Sequence, residues 1–220
     1  MPNATLARLI DHTALAPETT ERQIITLCDE AAAHRFAAVC MMPWYVTTAR
    51  ARLLEIESTI PICAAIGFPN GAHLSDVKAI EAQYALDDGA MELDMVMNLA
   101  AFKSGKRDAV LADIRAVVDV AHERDAIVKV IVETALLNES EIRRACAIAV
   151  EANADFVKTS TGFGPGGATV EAVRLIRDCV PAETGVKASG GIADKATAEA
   201  LVEAGADRIG TSKGMKVVEG

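Results

Sequence analysis

The sequence predicts a single (β/α)8 barrel, and three observations support this fold class. Short apolar segments alternate with amphipathic segments along almost the whole chain, and eight of them are strand candidates. Each strand-plus-helix unit takes about 27 residues, slightly short of a typical barrel of about 250 residues. Polar residues fall repeatedly at or near the ends of the apolar segments, where barrel enzymes place their chemistry. A doubly wound open sheet is the other layout compatible with this alternation.

The predicted strands are apolar runs rich in β-branched residues, and they lie at 8–11, 37–42, 61–67, 91–96, 127–133, 155–160, 185–189 and 207–210. Apolar residues recur at helical spacing between them, as at Val110, Ile114 and Val117. The predicted helices lie at 18–35, 44–57, 73–88, 107–124, 139–152, 169–179 and 194–204. Gly89 and Gly205 stand where a helix needs left-handed backbone to end before the next strand.

Composition and charge restrict the function. The 220 residues are 51% hydrophobic, and no linker or low-complexity tract divides them, so we expect one domain over residues 1–220. A formal net charge of -9 without a basic stripe argues against a nucleic-acid partner. The first five residues lack a leader pattern, and no apolar run approaches the roughly 20 residues of a membrane helix. We expect a cytoplasmic protein that handles a small molecule without a membrane partner.

Cysteine and histidine spacing gives no sign of a metal site. The five cysteines are widely spaced and never form Cys-x-x-Cys, so neither a disulfide framework nor a zinc site is indicated. None of the four histidines forms the paired arrangement of a metalloenzyme helix.

Two lysines placed inside apolar strands are the most informative feature. Lys158 and Lys187 lie in neighbouring predicted parallel strands, where burying a charge is costly. Desolvation and a second ammonium nearby both favour a neutral amine, which is a nucleophile for carbonyl compounds. A lysine in a strand can also bury only its stem and extend its head to solvent.

Further polar residues are candidates for the same end of the barrel. Asp94 lies in the fourth strand, where it either moves protons or satisfies a nearby donor. Asp11 is predicted to end the first strand and to fix the first loop by hydrogen bonding. Cys40, near the end of the second strand, has the pattern of an ordinary buried cysteine. Side chains alternate between the two faces of a strand, and this alternation also predicts an ion pair between Glu92 and Lys129 in the barrel lumen.

Glycine-rich loops follow the last three strands. The segment from Gly162 to Gly167 fits G-x-G-x-x-G, but a dinucleotide site would place this motif after the first strand of its unit. A loop over an anionic substrate fits better. The segments Ser189-Gly190-Gly191 and Gly210-Thr211-Ser212 lie where such barrels commonly form a phosphate cradle from backbone N–H groups and hydroxyls.

The chain resembles the 2-deoxyribose-5-phosphate aldolases, a family of class I aldolases, over nearly its whole length. The shared segments are LIDHT at 9–13, VC at 39–40, AIGFPNG at 65–71, ELDMV at 92–96, FVKTSTG at 156–162 and VKASGGI at 186–192. The resemblance implies that Lys158 forms the Schiff base, that Lys187 is the second lysine and that Asp94 shuttles protons. It implies further substrate-binding residues, namely Asp11, Cys40, Thr161, Gly190, Gly191, Gly210, Thr211 and Ser212.

The resemblance also implies the reaction, which is reversible cleavage of 2-deoxyribose 5-phosphate to glyceraldehyde 3-phosphate and acetaldehyde. It implies no metal, no organic cofactor and a homodimer or higher homo-oligomer. Two features depart from some members: Phe163 replaces a lysine, and the chain stops at Glu219-Gly220 without a terminal tyrosine. A Schiff-base aldolase for another phosphorylated sugar and a non-catalytic phosphosugar-binding barrel are the alternatives.

Overall fold

Eight parallel strands close into a barrel in chain order in the computed structural model, which describes residues 4–220. The strands are β1 (Ile10–Ala14), β2 (Ala38–Met41), β3 (Ile62–Ile66), β4 (Glu92–Val96), β5 (Ile127–Ile131), β6 (Phe156–Lys158), β7 (Gly185–Ser189) and β8 (Arg208–Thr211). The (β/α)8 prediction is therefore confirmed, and the open sheet is excluded because β8 pairs with β1. The expectation that no leader pattern is present concerned residues 1–5, and residues 1–3 lie outside the described residues.

Helices surround the barrel between successive strands. They are α1 (Ala4–Ala7), α2 (Glu21–His34), α3 (Val46–Glu55), α4 (Ser75–Asp88), α5 (Leu99–Lys103), α6 (Arg107–His122), α7 (Glu139–Glu151), α8 (Val170–Cys179), α9 (Lys195–Glu203) and α10 (Gly214–Glu219). The seven predicted helices are all present, each with slightly tighter bounds. Short helices α1, α5 and α10 were not predicted, since four to six residues are too few to show a helical period. No helix within residues 4–220 is long and apolar enough to cross a membrane.

Local sequence sets the helix ends. Gly89 and Gly205 have φ of 119° and 108°, so the predicted left-handed helix ends are confirmed. Thr20 and Asn138 form capping boxes at the start of α2 and α7, respectively. The side chain of each accepts from the backbone N–H three residues later, and the side chain of that later residue accepts from the backbone N–H of the capping residue.

The strands separate two apolar environments. In β4, Leu93 and Met95 join the large core between barrel and helices, whereas Val96 belongs to a small cluster with Cys40 and Cys63 on β2 and β3. Strand side chains alternate between faces, so Glu92 and Asp94 share the lumenal face of β4 with Val96. The barrel interior is thus partly filled by charged groups.

A buried ion pair joins α4 and α6 beside the end of β4. The Lys78 ammonium donates to Asp113 at 2.7 Å and to the Val96 carbonyl at 2.8 Å. Asp113 also accepts from the Ser75 hydroxyl and the Asn98 backbone N–H. Burial lowers the pKa of Lys78, and the Asp113 carboxylate opposes that change. This pair fixes the β4 end that supports the lumenal carboxylates.

We expect Asp113→Asn to lower the free energy of unfolding by about 3–5 kcal/mol, because it leaves the Lys78 ammonium buried without a counter-charge. Urea titration followed by circular dichroism measures the change. The control is Glu139→Gln, which removes an exposed pair with Arg143 and should cost no more than about 0.5 kcal/mol. Equal effects of both substitutions would contradict the role given to the buried pair.

Candidate active site

Asp94, at the centre of β4, is the hub of a buried network of charges. Its Oδ2 accepts hydrogen bonds from Lys158 and Lys187, each at 2.6 Å, and its Oδ1 accepts from Lys129 at 3.0 Å. Because both ammonium groups contact the same oxygen, the nitrogens of Lys158 and Lys187 lie within twice that distance of each other. The two lysines and the carboxylate identified from sequence therefore form one cluster.

A second layer of charges surrounds this hub. Lys187 also contacts Asp11 Oδ2 at 2.5 Å. Arg208 on β8 donates from Nε to Asp11 at 2.8 Å, and its Nη2 contacts both carboxylate oxygens of Glu92, at 2.7 and 2.9 Å. The predicted ion pair between Glu92 and Lys129 is confirmed, with a separation of 2.6 Å. Arg208 thereby links strands on opposite sides of the barrel.

The network holds its carboxylate ionised and its second lysine protonated. Burial alone would raise the pKa of Asp94, but the ammonium groups of Lys129, Lys158 and Lys187 hold the pKa of this carboxyl well below its usual range. Burial alone would lower the pKa of Lys187, but Asp11 and Asp94 raise it above its ordinary value. Lys187 is consequently a fixed cation next to Lys158.

The charges of the network do not balance when every group is ionised. Its three carboxylates face four cations, namely Lys129, Lys158, Lys187 and Arg208. Loss of one proton from one amine would bring the net charge of the network to zero. In a buried site an uncompensated charge is expensive, so the network favours one neutral amine.

Lys158 is the lysine nearest to the open end of the barrel. It is the last residue of β6, whereas Lys187 and Lys129 lie in the middle of their strands. The backbone on both sides is anchored, because Val132 donates to the Lys158 carbonyl and Thr159 donates to the Lys187 carbonyl, each at 3.0 Å. The amine therefore projects from a rigid position at the end where the barrel opens.

Two thiols complete the surroundings of Asp94. Cys63 donates to Oδ1 at 3.1 Å, and Cys40 contacts Oδ2 at 3.8 Å. Burial raises the pKa of the Cys63 thiol well above its usual range, which keeps it a hydrogen-bond donor. Donor atoms of Cys40, Cys63 and Asp94 lie within 4.8 Å of one another, a spacing that suits a metal ion. A metal there would have to displace the three ammonium groups that already occupy the carboxylate.

A cleft of about 730 Å³ opens beside this end of the barrel. Its walls are formed by the end of β8 and by the loops after β6, β7 and β8. They include Thr161, Gly190, Gly191, Gly210, Thr211 and Ser212, together with Gly162, Phe163 and Lys213. This volume suits a small-molecule ligand. The structure therefore brings six of the predicted substrate-binding residues to one cleft.

Close contact between two loops explains the glycine-rich segment. A Cβ at Gly167 would lie 2.1 Å from the carbonyl oxygen of Gly190, so only glycine allows these backbones to meet. Ala168 donates to the Ser189 and Gly190 carbonyls from the same loop. Gly167 thus serves the packing of this loop against the one after β7.

Asp11 and Cys40 occupy places that differ from those of the cleft residues. The prediction that Asp11 ends the first strand is wrong, because β1 extends to Ala14 and Asp11 is its second residue. The expectation that Asp11 fixes the first loop is also wrong. Its fully buried carboxylate binds Lys187 and Arg208 inside the barrel. Cys40 is likewise fully buried against Asp94.

Several residues of the site were not identified from sequence. Arg208 shares a strand face with Gly210, and its charge inside a strand was a usable signal. Cys63 pairs in register with Cys40, which only the alignment of β2 and β3 reveals. Buried Glu133 accepts from the backbone N–H and the hydroxyl of Thr161 and so anchors the loop after β6.

Comparison with known proteins gives a consistent result. A family model described as "DeoC/LacD family aldolase" matches residues 5–219. A deoxyribose-phosphate aldolase from Thermococcus gammatolerans is 54% identical over 220 residues, which are 100% of this chain and 98% of that protein. One from Geobacillus sp. is 53% identical over 98% of this chain and 95% of its own length.

Solved structures agree with the sequence relatives. The structure described as "QR15, an Aldolase" is 45% identical, with a TM-score of 0.92 over 97% of this chain and 94% of that one. A deoxyribose phosphate aldolase from Aeropyrum pernix, described as tetrameric, is 37% identical, with a TM-score of 0.91 over 97% of this chain and 89% of its own.

Proposed function

The chain belongs to the DeoC/LacD family of aldolases, and from this premise we infer that it cleaves 2-deoxy-D-ribose 5-phosphate reversibly to D-glyceraldehyde 3-phosphate and acetaldehyde. The observation that carries the inference is the Asp94 carboxylate shared by Lys158 and Lys187 inside the barrel. A barrel that only binds phosphosugars has no use for several desolvated lysines, whose burial is costly. We propose that residues 1–220 act as one catalytic domain.

In the proposed mechanism Lys158 is the nucleophile. Its neutral amine attacks the C1 aldehyde of the open-chain sugar, and loss of water gives a protonated imine. Lys187 and Lys129 contact the same carboxylate as Lys158, so a neutral Lys158 removes the one positive charge by which the cations of the network exceed its carboxylates. The position of Lys158 at the end of β6 lets the substrate approach from the cleft.

The imine then acts as an electron sink for cleavage of the C2–C3 bond. The C3 hydroxyl loses its proton to Asp94, directly or through a water, with Lys187 as the adjoining donor. Electrons of the C2–C3 bond flow to the iminium nitrogen, which releases glyceraldehyde 3-phosphate and leaves an enamine on Lys158. Protonation of the enamine at carbon and hydrolysis of the imine release acetaldehyde and restore the amine. A low pKa keeps Asp94 available as a base at neutral pH.

We assign the phosphate to the cleft formed by the loops after β7 and β8. Gly190 and Gly191 have φ of 87° and 77°, a left-handed conformation that can point successive backbone N–H groups at an anion. Exposed Ser212 adds a hydroxyl, and Lys213 on the same wall adds a cation. Phe163, which contacts Phe68 edge to face at 5.3 Å, presents an apolar surface to the cleft instead of a charge.

The partners we propose are a phosphorylated sugar and its aldehyde product, together with further copies of the chain in a homodimer or larger homo-oligomer. A Schiff-base aldolase for a different phosphorylated sugar would share the lysines and differ in the cleft. Comparing turnover of deoxyribose 5-phosphate with that of ribose 5-phosphate and of fructose 6-phosphate distinguishes these possibilities. Faster cleavage of either of the latter would overturn the substrate assignment.

Treatment with borohydride and acetaldehyde should add one ethyl group to Lys158, because reduction converts the imine to a stable secondary amine. Peptide mass spectrometry locates the group. Lys158→Arg should abolish both labelling and cleavage without unfolding the protein, since guanidinium stays protonated and cannot form an imine. A main label on any other lysine would disprove the assignment.

Removing the fixed cation beside Lys158 should shift the pH dependence of imine formation. Lys187→Met removes the surplus positive charge of the network, so the pH of half-maximal trapping should rise by about one unit or more. Lys129→Met is the matched control. Lys129 contacts the other Asp94 oxygen and is paired with Glu92, so its removal should shift the profile less. An unchanged profile in Lys187→Met would contradict the proposed role.

A negative charge in the phosphate site should penalise only the phosphorylated substrate. Ser212→Asp should raise KM for deoxyribose 5-phosphate at least about tenfold, or about 1.4 kcal/mol, while cleavage of unphosphorylated deoxyribose changes little. Lys213→Met should act in the same direction more weakly. Ser140→Asp introduces the same charge on α7 outside the cleft and should change neither substrate. Equal losses on both sugars in Ser212→Asp would show that the phosphate binds elsewhere.

A further inference from the structure

Two thiols meet between neighbouring helices on the outside of the barrel. Cys146 lies in α7 and is fully buried, whereas Cys179 is the last residue of α8 and is partly exposed. The side chains of these two cysteines are in hydrogen-bonding contact. Because Cys40 and Cys63 belong to the Asp94 network, Cys146 and Cys179 form a second pair of thiols, outside the active site.

An arginine lies beside the exposed thiol of the pair. The Arg143 Nη1 donates to the Cys179 sulfur at 3.6 Å. Arg143 is three residues before Cys146, so both side chains lie on the side of α7 that meets α8. The Nη2 of Arg143 binds Glu139, which holds the guanidinium in this position. A cation next to a partly exposed sulfur is typical of cysteines that react with oxidants, because the thiolate is the reactive form.

Cys146 has the surroundings of a thiol that reacts second. Burial, assisted by the adjoining Cys179, raises the pKa of the Cys146 thiol to about 12, so Cys146 stays protonated while both cysteines are reduced. When Cys179 has become a neutral sulfenic acid, it no longer repels a negative charge on Cys146. The pair thus combines one thiol that an oxidant can reach with one that is protected from it.

We propose that Cys179 and Cys146 are a peroxide-reactive pair that closes into a disulfide between α8 and α7. The Cys179 sulfur attacks a hydroperoxide and becomes a sulfenic acid, while the O–O bond breaks and the second oxygen leaves with the thiol proton as water or an alcohol. The Cys146 sulfur then attacks the Cys179 sulfur, and the sulfenic oxygen departs with the Cys146 proton as water. The two thiols lose two electrons in total, which the peroxide accepts.

The proposed disulfide encloses the segment that carries Lys158. Between Cys146 and Cys179 lie β6, which ends at Lys158, the glycine-rich loop and most of α8. A cross-link stabilises a protein largely by restricting the unfolded chain, and its effect grows with the length of the enclosed segment. Oxidation should therefore raise the midpoint of thermal unfolding by about 5 °C or more.

This pair is remote from the cleft. Helix α8 ends before β7 begins, so Cys179 lies at the end of the barrel opposite to the loops that follow the strands. Among the described residues that line the cleft, none is a cysteine. The disulfide itself should consequently leave imine formation at Lys158 unchanged.

Treatment of the full chain with hydrogen peroxide, followed by alkylation of the remaining thiols and peptide mass spectrometry, tests the proposal. We expect the loss of two hydrogen atoms per chain and one linked pair of peptides that contain Cys146 and Cys179, which a dithiol reductant separates. Cys179→Ser and Cys146→Ala should each abolish this product, and circular dichroism checks that both variants fold. Cys28→Ala, at a buried cysteine of α2, is the matched control and should form the disulfide like the native protein.

Two arginine variants test the role of the cation. Arg143→Gln removes the charge next to the Cys179 sulfur and should slow disulfide formation at least about threefold. Arg144→Gln is the matched control, because Arg144 is the next residue of α7 but its guanidinium lies over the Phe102 ring. This variant should react at the native rate. Equal rates for both variants would contradict the role given to Arg143.

Three results would overturn the proposal. One is a peroxide-treated native protein in which Cys179 stops at a sulfenic or sulfinic acid without the linked peptides. Another is a main disulfide that joins any other cysteines, whether within one chain or between two chains. The third is an oxidised protein that unfolds at the same temperature as the reduced one, or at a lower temperature. Labelling of Lys158 by borohydride and acetaldehyde tests the aldolase reaction separately.

Discussion

The ion network centred on Asp94 is the constraint on which the rest of this structure depends. Four cations inside a barrel are tolerated only because three carboxylates meet them at hydrogen-bonding distance, since unpaired charges are very costly to bury. This requirement fixes the register of the strands. Asp94 pairs with Lys129 across β4 and β5, and Lys158 pairs with Lys187 across β6 and β7. A slip of one residue in any of these strands would turn a charge toward the helices.

The same network would account for the reactivity that we propose for Lys158. A fully neutralised cluster would hold every lysine protonated, and a larger positive excess would destabilise the barrel. One surplus positive charge leaves room for a single neutral amine, and position decides which lysine it is. Lys187 and Lys129 are enclosed in mid-strand between carboxylates, whereas Lys158 ends β6, and the loop that follows it lines the cleft. Stability and nucleophilicity thus arise from the same imbalance.

Site residues could be identified from the sequence where the pattern within a single strand is enough to single them out. Lysine or aspartate in an apolar run is visible without any tertiary knowledge, so Lys158, Lys187 and Asp94 were identified. Contacts between distant strands were less accessible. Arg208 bridges Asp11 and Glu92 across the lumen, and nothing in β8 alone specifies those partners. Asp11 was misplaced because the predicted first strand stopped at residue 11, before the polar His12 and Thr13, although β1 continues to Ala14.

Chemistry and recognition occupy parts of the barrel with different mechanical properties. The reacting groups are on strands, where hydrogen bonds on both sides fix each backbone, whereas the phosphate is assigned to glycine-rich loops. Substitutions in those loops can therefore change which sugar is bound without disturbing the lysines. Phe163 illustrates this independence, since it makes an aromatic contact to Phe68 at the cleft while the Asp94 network remains complete.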